Sequence, residues 1–233
     1  MVKTKNKRVP MKKLITSINP KSLVSEQYRT LRTNINFSSP DRDIRSIVVT
    51  SAAHSEGKST TAANLAIVYA QEGKKVLLID GDLRKPTMHY IFSIKNTVGL
   101  SSVLVRQNTL ENVISTTEIE NLDLITSGPL PPNPVELLGS KSLEALLKKL
   151  EESYDVLIID TPPILAVADG QVLANRCEGA ILVINSGETV KEDAIKAKEL
   201  IMASNSRLIG AVLNNFKLPS TSYYGNYYES EEN

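Results

Sequence analysis

Residues 52–60, AAHSEGKST, have the types and spacing of a loop that binds phosphate. They fit a pattern of Ala or Gly, four residues of any type, and then Gly-Lys-Ser or Gly-Lys-Thr, with Ala52 in the first position. In such a loop Gly57 allows close approach of backbone N–H groups, Lys58 reaches the β- and γ-phosphates, and the Ser59 hydroxyl binds Mg²⁺. The pattern therefore predicts a site for ATP and Mg²⁺, to which the same loop contributes Ser55, Glu56 and Thr60.

A chance match is the alternative interpretation of this loop. The fixed positions recur by accident in roughly one chain in fifty of this length. The neighbouring sequence favours the functional interpretation, because residues 47–50 are typical of a strand and residues 60–71 of a helix. A strand followed by this loop and a helix is the context in which a phosphate-binding loop works.

Two apolar runs end in aspartate. The run VLLI at 76–79 is followed by Asp80 and then by Asp82, and the run VLII at 156–159 is followed by Asp160. The carboxyl ends of parallel strands share one edge of a sheet, so we expect these carboxylates beside the phosphate-binding loop. One such aspartate is explained equally well as the cap of a helix or turn, but two at matching positions favour a metal site. We predict that Asp82 and Asp160 hold Mg²⁺ together with Ser59.

Two cations, Arg84 and Lys85, follow Asp82 after one intervening leucine. Guanidinium and ammonium groups bind phosphate oxygens, and we predict that Arg84 contacts the nucleotide. A solvated loop accounts for both residues nearly as well.

The apolar runs also indicate the fold. Several are continuously apolar, as in strands that are covered on both faces, and helical patterns lie between them. Alternating strands and helices predict an α/β fold with a doubly wound, mostly parallel sheet flanked by helices. The predicted strands are 46–50, 75–79, 122–126, 155–159, 179–184 and 208–213. The predicted helices are one from Asn19-Pro20 to about Phe37 and those at 59–71, 141–152, 168–176 and 190–203, and a proline-rich loop is expected at 128–134.

Composition divides the chain of 233 residues into three parts. We predict a basic, flexible segment at 1–18, a domain at 19–216 and a flexible tail at 217–233. The basic segment is explained equally well as a lipid-contacting or a solubilising tail. The net charge of +1 does not indicate nucleic acid as a partner. A single cysteine, no signal-peptide pattern and no apolar run of membrane-spanning length lead us to expect a cytoplasmic protein.

The tail contains four of the eight tyrosines of the chain. A merely soluble, disordered end is the simplest interpretation, but tyrosine is uncommon in disordered segments. Glycine and asparagine separate the tyrosines and glutamates follow them, which suggests a flexible peptide able to enter an active site. The four residues are Tyr223, Tyr224, Tyr227 and Tyr228.

Together these motifs resemble the bacterial P-loop tyrosine kinases of capsule and exopolysaccharide synthesis. The resemblance extends from about residue 19 to the end, and its most specific element is IDGDLRKP at 79–86. It implies that Lys58 and Ser59 are the Walker-A lysine and metal ligand and that Asp160 is the Walker-B acid. Asp80 and Asp82 correspond to the Walker-A′ carboxylates, one of which is the base for the incoming phenol. By a looser analogy, Asn214 contacts the adenine.

The resemblance also implies partners. Glu26, Arg29 and Arg32 match an EX₂RX₂R motif that mediates assembly into a homo-oligomeric ring such as an octamer; the motif alone is more typical of a solvated charged helix face. The family phosphorylates its own C-terminal tyrosines, between subunits, and tyrosines of other proteins. The length of the chain is similar to the Firmicute arrangement, in which a separate membrane-bound activator of the polysaccharide chain-length regulator type recruits the kinase to the inner face of the cell membrane. One departure is His54, where proline is common in the family.

Two other functions remain open at this point. The first is a switch ATPase of the cell-division-site and plasmid-partition group, which shares the fold but usually carries an extra lysine near the start of the loop. Residues 52–57 contain no lysine. The second is a scaffold that binds nucleotide only in order to assemble.

Overall fold

Seven strands form one sheet in the computed structural model, which describes residues 14–39 and 42–216. The spatial order is β3-β4-β2-β5-β1-β6-β7, and every neighbouring pair is parallel except β3 and β4. The strands are β1 (Ser46–Ser51), β2 (Val76–Asp80), β3 (Ile114–Thr116), β4 (Leu122–Ile125), β5 (Val156–Asp160), β6 (Gly179–Asn185) and β7 (Arg207–Asn214).

Helices cover both faces of this sheet. One face packs against α1, α2, α3 and α4, and the other against α5 to α10. Alternate residues of each central strand supply the two cores; Ile47 and Val49 face α3, whereas Val48 faces the opposite layer. The helices are α1 (Ile15–Ile18), α2 (Leu23–Phe37), α3 (Lys58–Gln71), α4 (Met88–Ile91), α5 (Leu100–Leu104), α6 (Leu110–Val113), α7 (Pro134–Leu138), α8 (Lys141–Glu151), α9 (Asp169–Ala174) and α10 (Lys191–Met202).

The predicted fold class is confirmed, and all six predicted strands are present within about a residue of their expected bounds. The sequence analysis missed β3, an antiparallel edge strand of three residues. Its residues, Ile-Ser-Thr, are too few to show an alternating pattern. The proline-rich loop is present, and α7 begins at its last residue, Pro134, where a missing N–H costs nothing.

The N-terminal boundary of the domain lies earlier than predicted. Residues 14–18 belong to the predicted flexible segment, but they contain α1, and Leu14 is buried. The Thr16 backbone N–H and hydroxyl both donate to Asn64 Oδ1 on α3, at 3.1 and 2.7 Å. The next helix starts at its cap, Ser22, whose hydroxyl accepts the N–H of Ser25, rather than at Asn19.

Within the described ranges, no helix combines the length and the apolar character that crossing a membrane requires. The residues at 1–13, 40–41 and 217–233 lie outside those ranges, so the flexible N-terminal segment before residue 14 and the flexible C-terminal tail stay predictions.

Replacing Leu14 by alanine tests whether α1 belongs to the domain. The leucine is 2% exposed, so we expect the change to lower the free energy of unfolding by about 2 kcal/mol, the low end for a buried leucine. Ile18→Ala, in the same helix but 51% exposed, should change it by less than about 0.5 kcal/mol. Urea denaturation of both variants measures the difference, and equal, small effects would contradict this role of Leu14.

Candidate active site

The predicted phosphate-binding loop connects β1 to α3 at the carboxyl edge of the sheet. Its turn requires two residues with positive φ, Ser55 at 63° and Gly57 at 94°. Glycine is favoured at the second position because other residues rarely adopt that conformation. Lys58 is the first residue of α3, so the loop leads directly into the helix N-terminus, where anions are stabilised. Thr60 and His54 are exposed on this part of the surface.

The Glu56 side chain turns into the protein and not towards the space above the loop. Its Oε2 accepts the Ala53 N–H at 2.8 Å, and its Oε1 accepts the hydroxyl of Thr189, which follows β6. The side chain therefore connects the loop to the segment between β6 and α10 by hydrogen bonds. Of the Glu56 groups, only its backbone N–H stays a candidate for phosphate binding. Sequence reasoning missed Thr189, since no motif marks it.

Asn214, the last residue of β7, contacts the same loop. Its Nδ2 donates to the Glu56 carbonyl at 3.0 Å. A Cβ added at Gly57 would lie 2.1 Å from this nitrogen, so the close approach of the strand end requires glycine. The structure thus brings Asn214 to the nucleotide loop, while the predicted contact with adenine stays a prediction.

Two of the aspartates face each other across neighbouring strands. Asp80 and Asp160 are register partners on β2 and β5, and both side chains are fully buried. Asp80 Oδ2 accepts the N–H groups of Thr87 and Met88, at 3.1 and 3.0 Å. Asp80 Oδ1 and both oxygens of Asp160 accept no hydrogen bond from the residues that the structure describes. Buried carboxylate oxygens without partners are costly unless a cation or a proton joins them.

Burial raises the pKa of both carboxyl groups. For Asp80, the charge of Asp160 adds to the effect of burial and the two backbone N–H donors oppose it. For Asp160, Lys58 and the neighbouring Ser59 hydroxyl oppose burial without cancelling it. The two acids therefore retain protons to higher pH than exposed aspartates do.

Asp82 links these acids to the loop lysine. Its Oδ1 accepts the N–H groups of Arg84 and Lys85, at 3.3 and 2.9 Å, and its Oδ2 lies 3.8 Å from Lys58 Nζ. Both side chains of this ion pair are largely buried. Four of the predicted site residues, on three different elements, thus converge at one edge of the sheet: Lys58, Asp80, Asp82 and Asp160.

The Arg84 side chain binds an aspartate that lies outside the predicted motifs. Its Nε and Nη2 donate to the two carboxylate oxygens of Asp169, at 2.8 and 3.1 Å, at the start of α9. A buried carboxylate thus occupies the Nε and Nη2 donors of this guanidinium, and the contact of Arg84 with the nucleotide stays a prediction. No pattern in the sequence marked Asp169 as its partner.

The predicted assembly motif divides into two parts on α2. Glu26 and Arg29 form an ion pair with each other near the surface. Arg32 instead donates to the Val68 carbonyl of α3 at 2.6 Å and lies 3.4 Å from Glu72, with its side chain only 16% exposed. Arg32 therefore joins two helices of its own subunit, whereas Glu26 and Arg29 lie near the surface.

The donor set is suitable for Mg²⁺ with a nucleotide. Among the residues the structure describes, no three His, Cys, Asp or Glu side chains form a ready-made metal site. Mg²⁺ seldom needs one, because it usually takes one or two carboxylates and completes its shell with phosphate oxygens and water. The partnerless oxygens of Asp160, close to Ser59, provide such carboxylate ligands.

The Asp160→Asn variant tests whether the buried Asp160 carboxylate destabilises the folded protein. A carboxyl whose pKa is raised on folding destabilises the folded protein above its ordinary pKa, and the cost grows as the pH rises towards the folded value. We therefore expect the variant, without metal or nucleotide, to melt at a higher temperature than the wild type at pH 8, with a smaller gain at pH 5. A gain of about 1 kcal/mol corresponds to roughly 2–4 °C at this size. A variant that melts lower at pH 8, or a difference independent of pH, would contradict this cost.

Comparison with known proteins agrees with this geometry. Residues 44–211 match the family described as AAA domain. The tyrosine-protein kinase YwqD of Bacillus subtilis strain 168 is 55% identical over 220 residues, which cover 94% of this chain and 92% of that protein. An archaeal cell-division ATPase, MinD of Pyrococcus furiosus, is more distant, at 26% identity and a TM-score of 0.65 over 75% of this chain and 73% of that one.

Two solved structures are closer. The chimerical protein CapA2B2 has a TM-score of 0.85 and 48% identity, covering 88% of this chain and 90% of that chain. The kinase domain of the Escherichia coli tyrosine kinase ETK has a TM-score of 0.85 and 33% identity, covering 91% of this chain and 83% of that chain. With the loop, the three aspartates and the strand order described above, these similarities show that the chain belongs to the bacterial P-loop protein-tyrosine kinases.

Proposed function

We propose that the protein transfers the γ-phosphoryl group of ATP to the tyrosines of its own C-terminal cluster, on a neighbouring copy, and to tyrosines of other proteins. We further propose that this activity regulates the synthesis of capsular or extracellular polysaccharide. The observation that carries the proposal is the convergence of Lys58, Asp80, Asp82 and Asp160 beside one phosphate-binding loop.

The residues of the loop would bind and orient the phosphates. Ser55, Gly57, Thr60 and the Glu56 backbone belong to this part of the site, and Lys58 at the start of α3 offsets the charge of the terminal phosphates. Ser59, Asp82 and Asp160 are the residues that would hold Mg²⁺. When bound, the metal neutralises charge on the phosphate oxygens.

A tyrosine hydroxyl, with a pKa near 10, needs a base as it attacks phosphorus. Asp82 is better placed than Asp80, because Asp82 Oδ2 lies 3.8 Å from Lys58 Nζ, the cation at the terminal phosphates, whereas Asp80 Oδ2 holds the start of α4. In this step the phenol oxygen bonds to the γ-phosphorus, the phenol proton moves to Asp82, and ADP leaves.

The position of β7 supports the C-terminal tyrosines as acceptors. Asn214 ends this strand and contacts Gly57, so the last described residues lie at the edge that carries the nucleotide loop. Tyr223, Tyr224, Tyr227 and Tyr228 follow Asn214 by nine to fourteen residues in the sequence, outside the described ranges.

Assembly and recruitment form the second part of the proposal. The exposed pair of Glu26 and Arg29 lies on α2, where it can exchange partners with a neighbouring copy in a ring. Recruitment to the inner face of the membrane would come from a membrane-bound activator of the polysaccharide chain-length regulator type. The similarities to the chimerical protein CapA2B2 and to the kinase domain of ETK support an activator and an oligomer as proposals for this chain.

The switch-ATPase alternative is favoured by a single observation, the similarity to MinD. It is weaker than the kinase proposal because the identity to the tyrosine kinases is higher and because the chain carries a tyrosine cluster. A switch ATPase would hydrolyse ATP without forming phosphotyrosine.

Phosphotyrosine formation tests the proposal. Purified protein incubated with Mg²⁺ and ATP, with and without an activator fragment, should gain phosphotyrosine on a blot. Replacing the four tail tyrosines by phenylalanine should remove most of this signal and leave ATP binding unchanged. Lys58→Met should lower the rate on the order of 100-fold, because it removes a buried cation from the transferring phosphoryl group. ATP hydrolysis without phosphotyrosine, even with activator, would refute the kinase.

A mixing experiment tests transfer between copies. The Lys58→Met protein, with its tail intact, is incubated with the active protein whose tail tyrosines are phenylalanine. Transfer between copies predicts phosphotyrosine on the Lys58→Met chain, distinguished by a size tag. A signal that appears only when both features are in one chain would show transfer within a subunit.

A charge-removal experiment tests the interface. Glu26→Ala combined with Arg29→Ala should shift the protein from oligomer to monomer in light scattering and leave its melting temperature nearly unchanged, because an exposed pair adds little stability. Arg32→Ala should instead lower the melting temperature, since Arg32 joins α2 to α3. An unchanged oligomer in the double variant would refute the interface.

A further inference from the structure

Asp169 is a fully buried carboxylate that no motif of the proposed site includes. Arg84 is the only side chain among the described residues that hydrogen-bonds to it, through two parallel donors. The arginine is 41% exposed on its other side. A buried charge with a single two-pronged partner depends strongly on that partner, because losing it leaves the charge uncompensated.

The same arginine supports Asp82 through its backbone. The N–H groups of Arg84 and Lys85 both donate to Asp82 Oδ1, which leaves Oδ2 directed at Lys58. The position of the Arg84 backbone therefore determines how the Asp82 carboxylate is oriented, and the Arg84 side chain is anchored on Asp169.

The segment from Gly81 to Arg84, which carries Asp82, is held at both ends. Its start contacts the end of β5, and its end contacts α9. At its start, the Gly81 N–H donates to the Asp160 carbonyl at 2.8 Å. At its end, Arg84 is bound to Asp169. The helix that begins with Asp169 also packs closely on the residues after β5, since a Cβ at Gly170 would lie 3.0 Å from the Pro162 carbonyl oxygen.

We propose that Asp169 is a positioning residue for the phosphoryl-transfer reaction: through Arg84 it holds the backbone that orients Asp82 relative to Lys58. Asp169 affects the rate of transfer of the γ-phosphoryl group and not the affinity for the nucleotide. The inference rests on the proposed function for its kinetic readout, and on the nucleotide-free protein for its structural readout.

Asp169→Asn is the principal variant. It should lower kcat for phosphotyrosine formation about tenfold or more, a usual loss for a residue that supports a site residue, and should leave KM for ATP within about twofold. Arg84→Gln should give the same split, and Arg84→Lys, which keeps the charge but not the two-pronged geometry, a smaller loss. The double variant Asp169→Asn with Arg84→Gln should be no slower than the slower single variant, because both residues act through one contact.

Hydrogen exchange on the nucleotide-free protein provides a readout independent of activity. The N–H groups of Arg84 and Lys85 should exchange faster in Asp169→Asn, while those of α3 stay unchanged. If Asp169→Asn does not fold, the Arg84→Lys variant, changed at a partly exposed side chain, is measured in the same way. Arg176→Lys is the matched control: this arginine binds Glu144 at 2.8 Å beside Ser46, at the opposite edge of the sheet, and its loss should leave kcat unchanged.

Three outcomes would overturn the proposal. A large rise in KM for ATP in Arg84→Gln would make Arg84 a nucleotide ligand. Tighter ATP binding in Asp169→Asn would mean that Asp169 withholds Arg84 from the phosphates. Unchanged exchange at Arg84 and Lys85, with unchanged kcat, would leave Asp169 no role in the site. Failure of the wild type to form phosphotyrosine refutes the proposed function instead, and the exchange experiment still decides the positioning role.

Discussion

Three buried carboxylates and one buried lysine lie together at the carboxyl edge of the sheet, and the rest of the site is arranged around this imbalance of charge. Asp80 and Asp160 are register partners, and Asp82 faces Lys58. Away from water, such charges are stable only where N–H groups, protons or cations compensate them. In the described part of the chain, backbone N–H groups satisfy one oxygen of Asp80 and one of Asp82, but neither oxygen of Asp160. A ligand that brings a cation therefore relieves a cost already present in the folded chain, which links its binding to the stability of the domain.

The backbone segments at this edge of the sheet pack closely, and this packing keeps the aspartates in fixed positions. Gly81 directly follows β2, and a Cβ there would lie 2.7 Å from the carbonyl oxygen of Asp160. A Cβ at Gly57 would likewise meet the side-chain amide of Asn214 at the end of β7. At both places the lack of a side chain lets one backbone segment approach another strand end directly. The carboxylates are thus placed by strands and short turns, which fix a side chain more closely than a long exposed loop does.

Much of this arrangement is predictable from local sequence, and the reason lies in the buried strands. Runs such as VLLID and VLIID mark both a central strand and the aspartate at its end, so strand, sheet edge and acid are read together. Short or polar elements carry no such signal: β3 has three residues, and α1 has four in a segment that looks like a basic tail. The start of α2 was misplaced for a related reason, since Asn19 and Ser22 are both good caps and only the contact with Ser25 distinguishes them.

Contacts between residues that are distant in the sequence determine what several motif side chains bind, which the motifs alone do not show. Arg32 and Arg84 both looked available for another molecule, yet one binds Val68 and the other Asp169, and neither partner is near in sequence. Glu56 lies in the centre of the loop motif, but its side chain accepts a hydrogen bond from the Thr189 hydroxyl. A motif specifies where the backbone runs and which groups are present, whereas their orientation depends on residues outside it. A chain with every motif residue but without Asp169 or Thr189 would keep the chemical groups of the site and lose the contacts that orient them.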